Sequence, residues 1–250
     1  MLESLELGLR VGRFLRDECA KQGFQYVFKA SFDKANRTSK HGVRGPGLEK
    51  GLQWLSEIGR ELNVPLLTDI HSAEQIQPAS KVCDILQMPA FLCVERSLIQ
   101  AAAESGKTVL LKKGQHLPIE EMFLIAQRMA ELGNPRVMIC ERGSSFGYNN
   151  LVVDYRNLFE VSEAKWASVF DATHSAQLPG AGGGSSAGLR HVVPALARAA
   201  VAVGIDALFL EVHENPSQAL SDKDTQLDFQ MATQVLAQAS RLCRQTFLEN

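Results

Sequence analysis

Nowhere in the 250 residues does an apolar run approach the roughly 20 needed to cross a membrane, and the N-terminus lacks the apolar segment of a signal peptide. Blocks of like charge are also missing: 26 basic residues stand against 28 acidic ones, a formal charge of −2 with a pI near 6.3. That balance excludes the broad basic surface of a nonspecific nucleic-acid binder. The five cysteines (Cys19, Cys83, Cys93, Cys140, Cys243) are odd in number, scattered, and never form C-x-x-C. They point away from a disulfide framework and towards a reducing compartment, so the expected location is the cytoplasm. There is no G-x-G-x-x-G and no Walker loop. Dinucleotide binding and P-loop chemistry therefore have no sequence support.

What the chain does contain is alternation. Seven β-rich runs recur: "YVFKA" from Tyr26, "PLLTDI" from Pro65, "DILQM" from Asp84, "TVLLKK" from Thr108, "RVMICER" from Arg136, "SVFDATH" from Ser168 and "ALFLEVH" from Ala207. Continuous apolarity without a period of two is the pattern of a parallel strand buried on both faces. Helical patterns lie between them. Leu48, Leu52, Leu55, Ile58 and Leu62 step by three and four. Pro118 with Glu120 and Glu121 marks a helix start, and "HVVPALARAAVAVG" closes on Gly204. Leu5 to Gly23 and the tail from Gln226 complete the helical segments.

This is the repeat of an α/β protein, either a (β/α)₈ barrel or a doubly wound sheet. Nearly every β run ends in a polar or charged side chain: Lys29, Asp69, Gln87, Lys112 with Lys113, Glu141 with Arg142, Asp171 with His174, and Glu211 with His213. A barrel gathers such strand ends at one mouth, whereas an open sheet spreads them along an edge. The expectation is a single (β/α)₈ barrel domain over 1–250. Its first strand is missing, since "MLES" runs almost at once into a helix, as though the true start lay upstream of Met1. The glycine-rich "PGAGGGSSAG" from Pro179 reads as a mobile loop at the mouth rather than a linker.

Cations at the ends of buried strands demand partners, because an unpaired buried charge costs several kcal/mol. Ion pairs with Glu141 or Asp69 would serve Lys112, Lys113 or Arg142 individually. Lys29, Lys34, Lys112 and Arg142 together outnumber those acids, which favours an anionic ligand. Within "FKASFDKANRTSKHGVRGPG", short hydrogen-bonders including Ser31, Asn36 and Thr38 stand between the cations. Arg37 with Thr38 supplies a guanidinium fork and a hydroxyl suited to a phosphate. His174, Glu211 and Asp222, at or just after the last two strands, suit a divalent first-row metal such as Zn²⁺, Fe²⁺ or Mn²⁺. His213 is an equal ligand on chemistry alone, and a purely hydrogen-bonding His174 is the simpler alternative.

The segments "FKASFDKANRTS…RGPG", "TDIHS", "QMPAFLC", "KKGQ", "ERGSSFGYNNLVVD", "DATHSAQLPG" and "EVHENPSQALSD" carry a specific resemblance. In order from Phe28 to Asp222 they resemble the motifs of the 3-deoxy-D-manno-octulosonate 8-phosphate synthase family. The resemblance implies a homotetrameric (β/α)₈ barrel that condenses phosphoenolpyruvate with D-arabinose 5-phosphate and releases phosphate, in the synthesis of the Kdo sugar of lipopolysaccharide. It assigns Lys29, Lys34, Lys112 and Arg142 to the phosphate and carboxylate of phosphoenolpyruvate. Asn36 and Asp69 meet the sugar hydroxyls, and Arg37 and Thr38 the sugar phosphate, while Gln87 and Phe91 line the pocket. The catalytic set it implies is Lys29, Lys34, Asn36, Asp69, Lys112 and His174, with Ser31 counted among the substrate-binding residues. Related DAHP synthases read K-P-R-T-S where this chain has "KANRTS", which favours the five-carbon sugar over erythrose 4-phosphate. A DAHP-type synthase and a truncated, non-catalytic remnant are the alternative readings.

The family has metal-dependent and metal-independent forms. Its metal ligands match His174, Glu211 and Asp222, and the fourth, diagnostic position aligns just before Met1, so both forms stay open. "SDKDTQ" from Ser221 resembles the metal-dependent form more. One departure concerns subunit contacts. Members usually read "FLCRQTDL" where this chain has "FLCVERSL", so Val94 replaces an arginine that would reach a neighbouring subunit's sugar phosphate.

Overall fold

Residues 1–33, 45–182 and 185–247 are described by a computed structural model. The sequence-derived residues Lys34, Asn36, Arg37 and Thr38 lie outside them. Two compact units form: Met1–Arg16, Gln25–Gly114 and Pro118–Met138 make the first, and Asp17–Phe24, Gln115–Leu117 and Ile139–Asn250 the second. No helix among the described residues is long and apolar enough to cross a membrane.

After helix α1 (Leu5–Gln22), the first unit runs through β1 (Phe28–Lys29), α2 (Leu48–Leu62), β2 (Leu66–Asp69), α3 (Ile76–Val82), β3 (Ile85–Met88), α4 (Arg96–Glu104), β4 (Thr108–Lys112) and α5 (Ile119–Glu131). Its strands neighbour one another in chain order, β1-β2-β3-β4. The register is parallel throughout, with Lys29 level with Leu67, Asp69 with Gln87, and Met88 with Leu111. Burial of all four residues of β2 explains its unbroken apolar signature. Leu52, Leu55, Ile58 and Leu62 are the buried stripe of α2, as their spacing requires. Gly51 in that helix is a packing necessity: a Cβ there would fall on the Cβ of the fully buried Phe32.

β5 (Val137–Glu141) leads into the second unit. Next come a short antiparallel pair, β6 (Ser144–Ser145) with β7 (Leu151–Val152), then α6 (Arg156–Glu163) and β8 (Ala167–Asp171). A second antiparallel pair, β9 (Gln177–Gly182) with β10 (Ser185–Gly188), precedes α7 (Val193–Val203), β11 (Ala207–Phe209) and α8 (Phe229–Phe247). β5, β8 and β11 are neighbours in that order, and β11 pairs β8 in parallel, Phe209 level with Asp171. α7 ends where expected, at Gly204 with φ of 100°, a left-handed C-cap that releases the chain towards β11.

Strand and helix thus alternate in both units with sequential parallel order, which is the (β/α)₈ barrel class. All seven β-rich runs contain strands. Among the described residues no strand precedes α1; the Leu2 N–H donates to the Ser31 carbonyl at 2.9 Å. The glycine-rich stretch read as a loop instead supplies much of the β9–β10 pair, because glycine permits the close ladder even though it adds no packing of its own.

The two ends of the strands carry different chemistry. At their starts, polar side chains tie down backbone: Asp84 accepts from Leu66 N at 2.8 Å, Asp206 from Ser168 N at 2.7 Å, and the Asn134 amide donates to the Lys107 carbonyl at 2.8 Å. These are structural links. The functional candidates sit at the other ends: Lys29, Asp69, Lys112, Glu141 and Asp171 are each the last residue of their strand.

Candidate active site

Each unit carries its own cluster of buried polar side chains. In the first, Lys29 at the end of β1 donates from Nζ to Ser31 Oγ at 2.7 Å and lies 3.5 Å from Asp69 Oδ1. His71, two residues beyond the end of β2, places Nε2 3.1 Å from Asp69 Oδ2. The Phe32 ring meets the His71 imidazole edge-on, with centroids 6.1 Å apart. Burial by itself pushes the Asp69 carboxyl up, but the Lys29 ammonium and the hydrogen bonds from His71 and Ser31 outweigh it. They hold the group well below the usual carboxylate range, so it stays an anion inside the protein.

Gln87, level with Asp69 on the neighbouring strand, is buried, and its Oε1 has no hydrogen-bond partner among the described residues. Lys112 and Lys113, at and just beyond the end of β4, are buried as well, and Lys113 Nζ donates to the Gly114 carbonyl at 3.2 Å. The carboxylate partner of Lys29 is therefore Asp69, the acid that sequence offered to the later cations. Phe91 lies on a short 3-10 turn after β3 and is 45% exposed. Val94 is exposed too, and Arg96 opens α4.

The second cluster is built on β5, β8 and the segment after β11. Glu141 ends β5 and shapes the turn that follows: Oε1 accepts from Arg142 N at 2.8 Å and Gly143 N at 2.5 Å, while Oε2 accepts from Asn157 Nδ2 at 2.7 Å. Arg142 is thereby presented from a fixed backbone. It is 8% exposed, and its Nη2 donates to Gln177 Oε1 at 2.8 Å and to the His174 carbonyl at 3.4 Å. Burial pushes its guanidinium down, opposed by Asp171, Cys140, Asp222 and Glu141.

His174 follows β8 on a 3-10 turn. The fully buried Asp171 orients it: Oδ2 lies 2.7 Å from His174 Nδ1, and Oδ1 accepts from His174 N at 2.9 Å and Thr173 Oγ1 at 3.0 Å. An ionised carboxylate only accepts, so this contact puts the proton on Nδ1 and leaves the Nε2 lone pair outward. Nε2 stands 3.7 Å from Glu211 Oε1. One ligand atom from each of His174, Glu211 and Asp222 falls within 4.8 Å of the others, the spacing of donors around one ion. One imidazole nitrogen and two carboxylates, with the imidazole backed by a third carboxylate, fit a divalent first-row cation. His213 is outside this set, its Nδ1 accepting from Asn215 N at 2.9 Å. Asp222 is held in a left-handed turn (φ 48°) whose carbonyl accepts from Thr225 N and Gln226 N, each at 3.0 Å. Thr225 packs so closely on Gly188 that a Cβ at that glycine would collide with it.

The structure thus brings Lys29, Ser31 and Asp69 together in one unit, and Arg142, His174, Glu211 and Asp222 together in the other. Sequence reasoning missed His71 and Gln177. His71 had a usable signal, lying two residues past Asp69 on the same continuing segment. Gln177 is uncharged and gave none.

Known proteins sharpen the picture. A protein of Acidithiobacillus ferrooxidans named 2-dehydro-3-deoxyphosphooctonate aldolase is 49% identical over 221 residues, covering 88% of this chain and 79% of its own length. Proteins of the same name from Syntrophobacter fumaroxidans (46% over 250 residues, 99% of this chain and 87% of that one) and Fusobacterium nucleatum (50% over 222 residues, 89% and 80%) are similar to it. The profile of the DAHP synthetase I family matches residues 1–245, and by that match and these identities the chain belongs to the DAHP synthetase I family.

Proposed function

We propose that this protein is a 3-deoxy-D-manno-octulosonate 8-phosphate synthase, condensing phosphoenolpyruvate with D-arabinose 5-phosphate and water to give the octulosonate 8-phosphate and inorganic phosphate. The carrying observation is the 46–50% identity to three proteins named for the phosphooctonate, across 88–99% of this chain. The same observation favours this reading over a DAHP-type synthase using erythrose 4-phosphate. The family setting adds a homotetramer working in the cytoplasm in Kdo synthesis.

Carbon 3 of the enol attacks the sugar aldehyde, and water adds at carbon 2 of phosphoenolpyruvate. The resulting hemiketal phosphate loses phosphate by C–O cleavage, and the new alkoxide takes up a proton. Both substrates are multiply anionic, so apposing them needs fixed positive charge. Lys29, Lys34, Lys112 and Arg142 take the phosphate and carboxylate of phosphoenolpyruvate, with Arg37 and Thr38 on the sugar phosphate. These cations offset the mutual repulsion and fix the attack geometry. Asp69, kept anionic by Lys29 and His71, is suited to accept from sugar hydroxyls together with Asn36. Ser31, hydrogen-bonded to Lys29, steadies the ammonium, while Gln87 and Phe91 border the pocket. His174, Glu211 and Asp222 would hold one divalent cation, which when bound supplies Lewis-acid polarisation of an oxygen.

The test is phosphate release from phosphoenolpyruvate with arabinose 5-phosphate, compared with erythrose 4-phosphate, before and after chelation. Release with the pentose phosphate, abolished by chelator and restored by a divalent metal, is expected. Preference for the tetrose phosphate overturns the substrate, and chelator-resistant turnover overturns the metal. Silence with both sugars favours the non-catalytic alternative.

A further inference from the structure

Arg142 and the three candidate metal ligands are joined by a single side chain. Gln177, the first residue of β9, accepts from Arg142 Nη2 through Oε1 at 2.8 Å and donates from Nε2 to Asp222 Oδ1 at 2.9 Å. The orientation of this amide is determined, because a guanidinium can only donate and a carboxylate only accept. Arg142 also touches the ligand set directly, through the His174 carbonyl at 3.4 Å. All of these groups are at least partly removed from water, where hydrogen bonds in series polarise one another.

We propose that Gln177 is a positioning residue that couples anion binding at Arg142 to divalent-metal binding at His174, Glu211 and Asp222. The inference rests on the reading above, in which Arg142 receives a substrate anion and the triad a cation. Without the anion, the guanidinium draws electron density through the amide, and Nε2–H draws on the Asp222 carboxylate. That makes Asp222 a poorer ligand. When an anion takes up the Arg142 donors, the pull relaxes and Asp222 is a better one. The metal then binds more tightly with phosphoenolpyruvate present, and by linkage phosphoenolpyruvate binds more tightly with metal present, by the same factor. A bound anion also attracts the cation directly through space. Gln177 carries the part that a variant can remove while leaving all charges in place.

The experiment is a Co²⁺ titration of the full chain, stripped of metal, followed by visible absorption at buffered free Co²⁺ with and without saturating phosphoenolpyruvate and with no sugar. Calorimetry of phosphoenolpyruvate with and without Co²⁺ gives the reciprocal factor. The wild type is expected to show a change in Kd of about fivefold or more, the lower end for linked sites. Gln177→Leu, which keeps the bulk but no hydrogen bond, should reduce the factor to below about twofold while still binding each ligand. Gln177→Met, also neutral and without an amide, should lose the factor as well and serves where the leucine variant folds poorly. A wild type without the factor, or variants retaining it in full, overturns the coupling alone. No Co²⁺ uptake by the wild type, or no heat with phosphoenolpyruvate, overturns the metal or anion assignment and the coupling with it.

Discussion

Replacing Asp171 with asparagine should invert the tautomer of His174 without removing any atom that fills space. The wild-type carboxylate is fully buried, with Oδ1 accepting from His174 N and Thr173 Oγ1, and Oδ2 2.7 Å from His174 Nδ1. In Asp171→Asn, the amide oxygen keeps the two Oδ1 contacts and the NH₂ group faces Nδ1. That nitrogen must then accept, so the ring proton moves to Nε2, the atom that faces Glu211. A protonated Nε2 cannot ligate a metal, and restoring the ligating tautomer leaves an N–H facing an NH₂. Losing such an orienting carboxylate typically costs 10–100-fold in metal affinity, or about 1.4–2.7 kcal/mol. Loss of one charge-assisted hydrogen bond should lower folding stability by a further 1.5–3 kcal/mol, roughly. Competition of Co²⁺ or Zn²⁺ against a chromophoric chelator reads the first quantity. Imidazole ¹⁵N shifts of histidine-labelled, metal-free protein read the tautomer itself. Unchanged affinity with an unchanged tautomer in Asp171→Asn would refute the assignment of Asp171 as the group that aims Nε2.

Three other measurements probe the rest of the chain. Asp69 is held below its ordinary value, so its stabilising contribution is complete above the usual carboxylate range near pH 4 and is lost as pH falls through the depressed folded value. Denaturant titrations from pH 6 to pH 3 should therefore fall more steeply for wild type than for Asp69→Asn, which itself loses up to about 3 kcal/mol at pH 7; parallel curves would refute the pairing. Burial pushes the thiols of Cys19 and Cys83 up to about 11 and about 12, while Cys243 is the one cysteine of the five that is not buried. Ellman's reagent at pH 8 should thus find one fast thiol in the native protein and the remainder only on unfolding, and rapid reaction of several would contradict the packing. Gly51→Ala gains about 1 kcal/mol of helix propensity, but its methyl lands on the Cβ of Phe32, which cannot move without its backbone. Overpacking of about 1–3 kcal/mol should win, so thermal denaturation should show a lower Tm, and a raised Tm would mean that α2 can shift freely.

The strands were readable because burial on both faces leaves a continuous apolar run, and the polar residue closing each run marked its functional end. Short elements were not readable. β6 and β7 are two residues each, and the glycine and serine of β9 and β10 have weak strand preference, so the antiparallel pairing emerges only from tertiary contacts. Motif resemblance reached Lys29, Asp69, Arg142, His174, Glu211 and Asp222 individually. It could not say that Asp69 answers to Lys29, because partners 40 residues apart in the chain meet only through strand register.

Beside His174, Glu211 and Asp222 as candidate ligands with His213 their equal, sequence alone supplied the alternation of seven buried strands with helices and the charged and polar residues that close the strands. These follow from local composition, which the solvent's exclusion from parallel strands writes directly into the order of residues. Tertiary structure alone decided that His213 turns to the Asn215 backbone while His174 is aimed by Asp171. It alone decided, too, that a neutral glutamine joins the buried arginine to the Asp222 carboxylate. The physical reason is that a hydrogen bond depends on position and direction to within a fraction of an ångström, and no linear pattern specifies either.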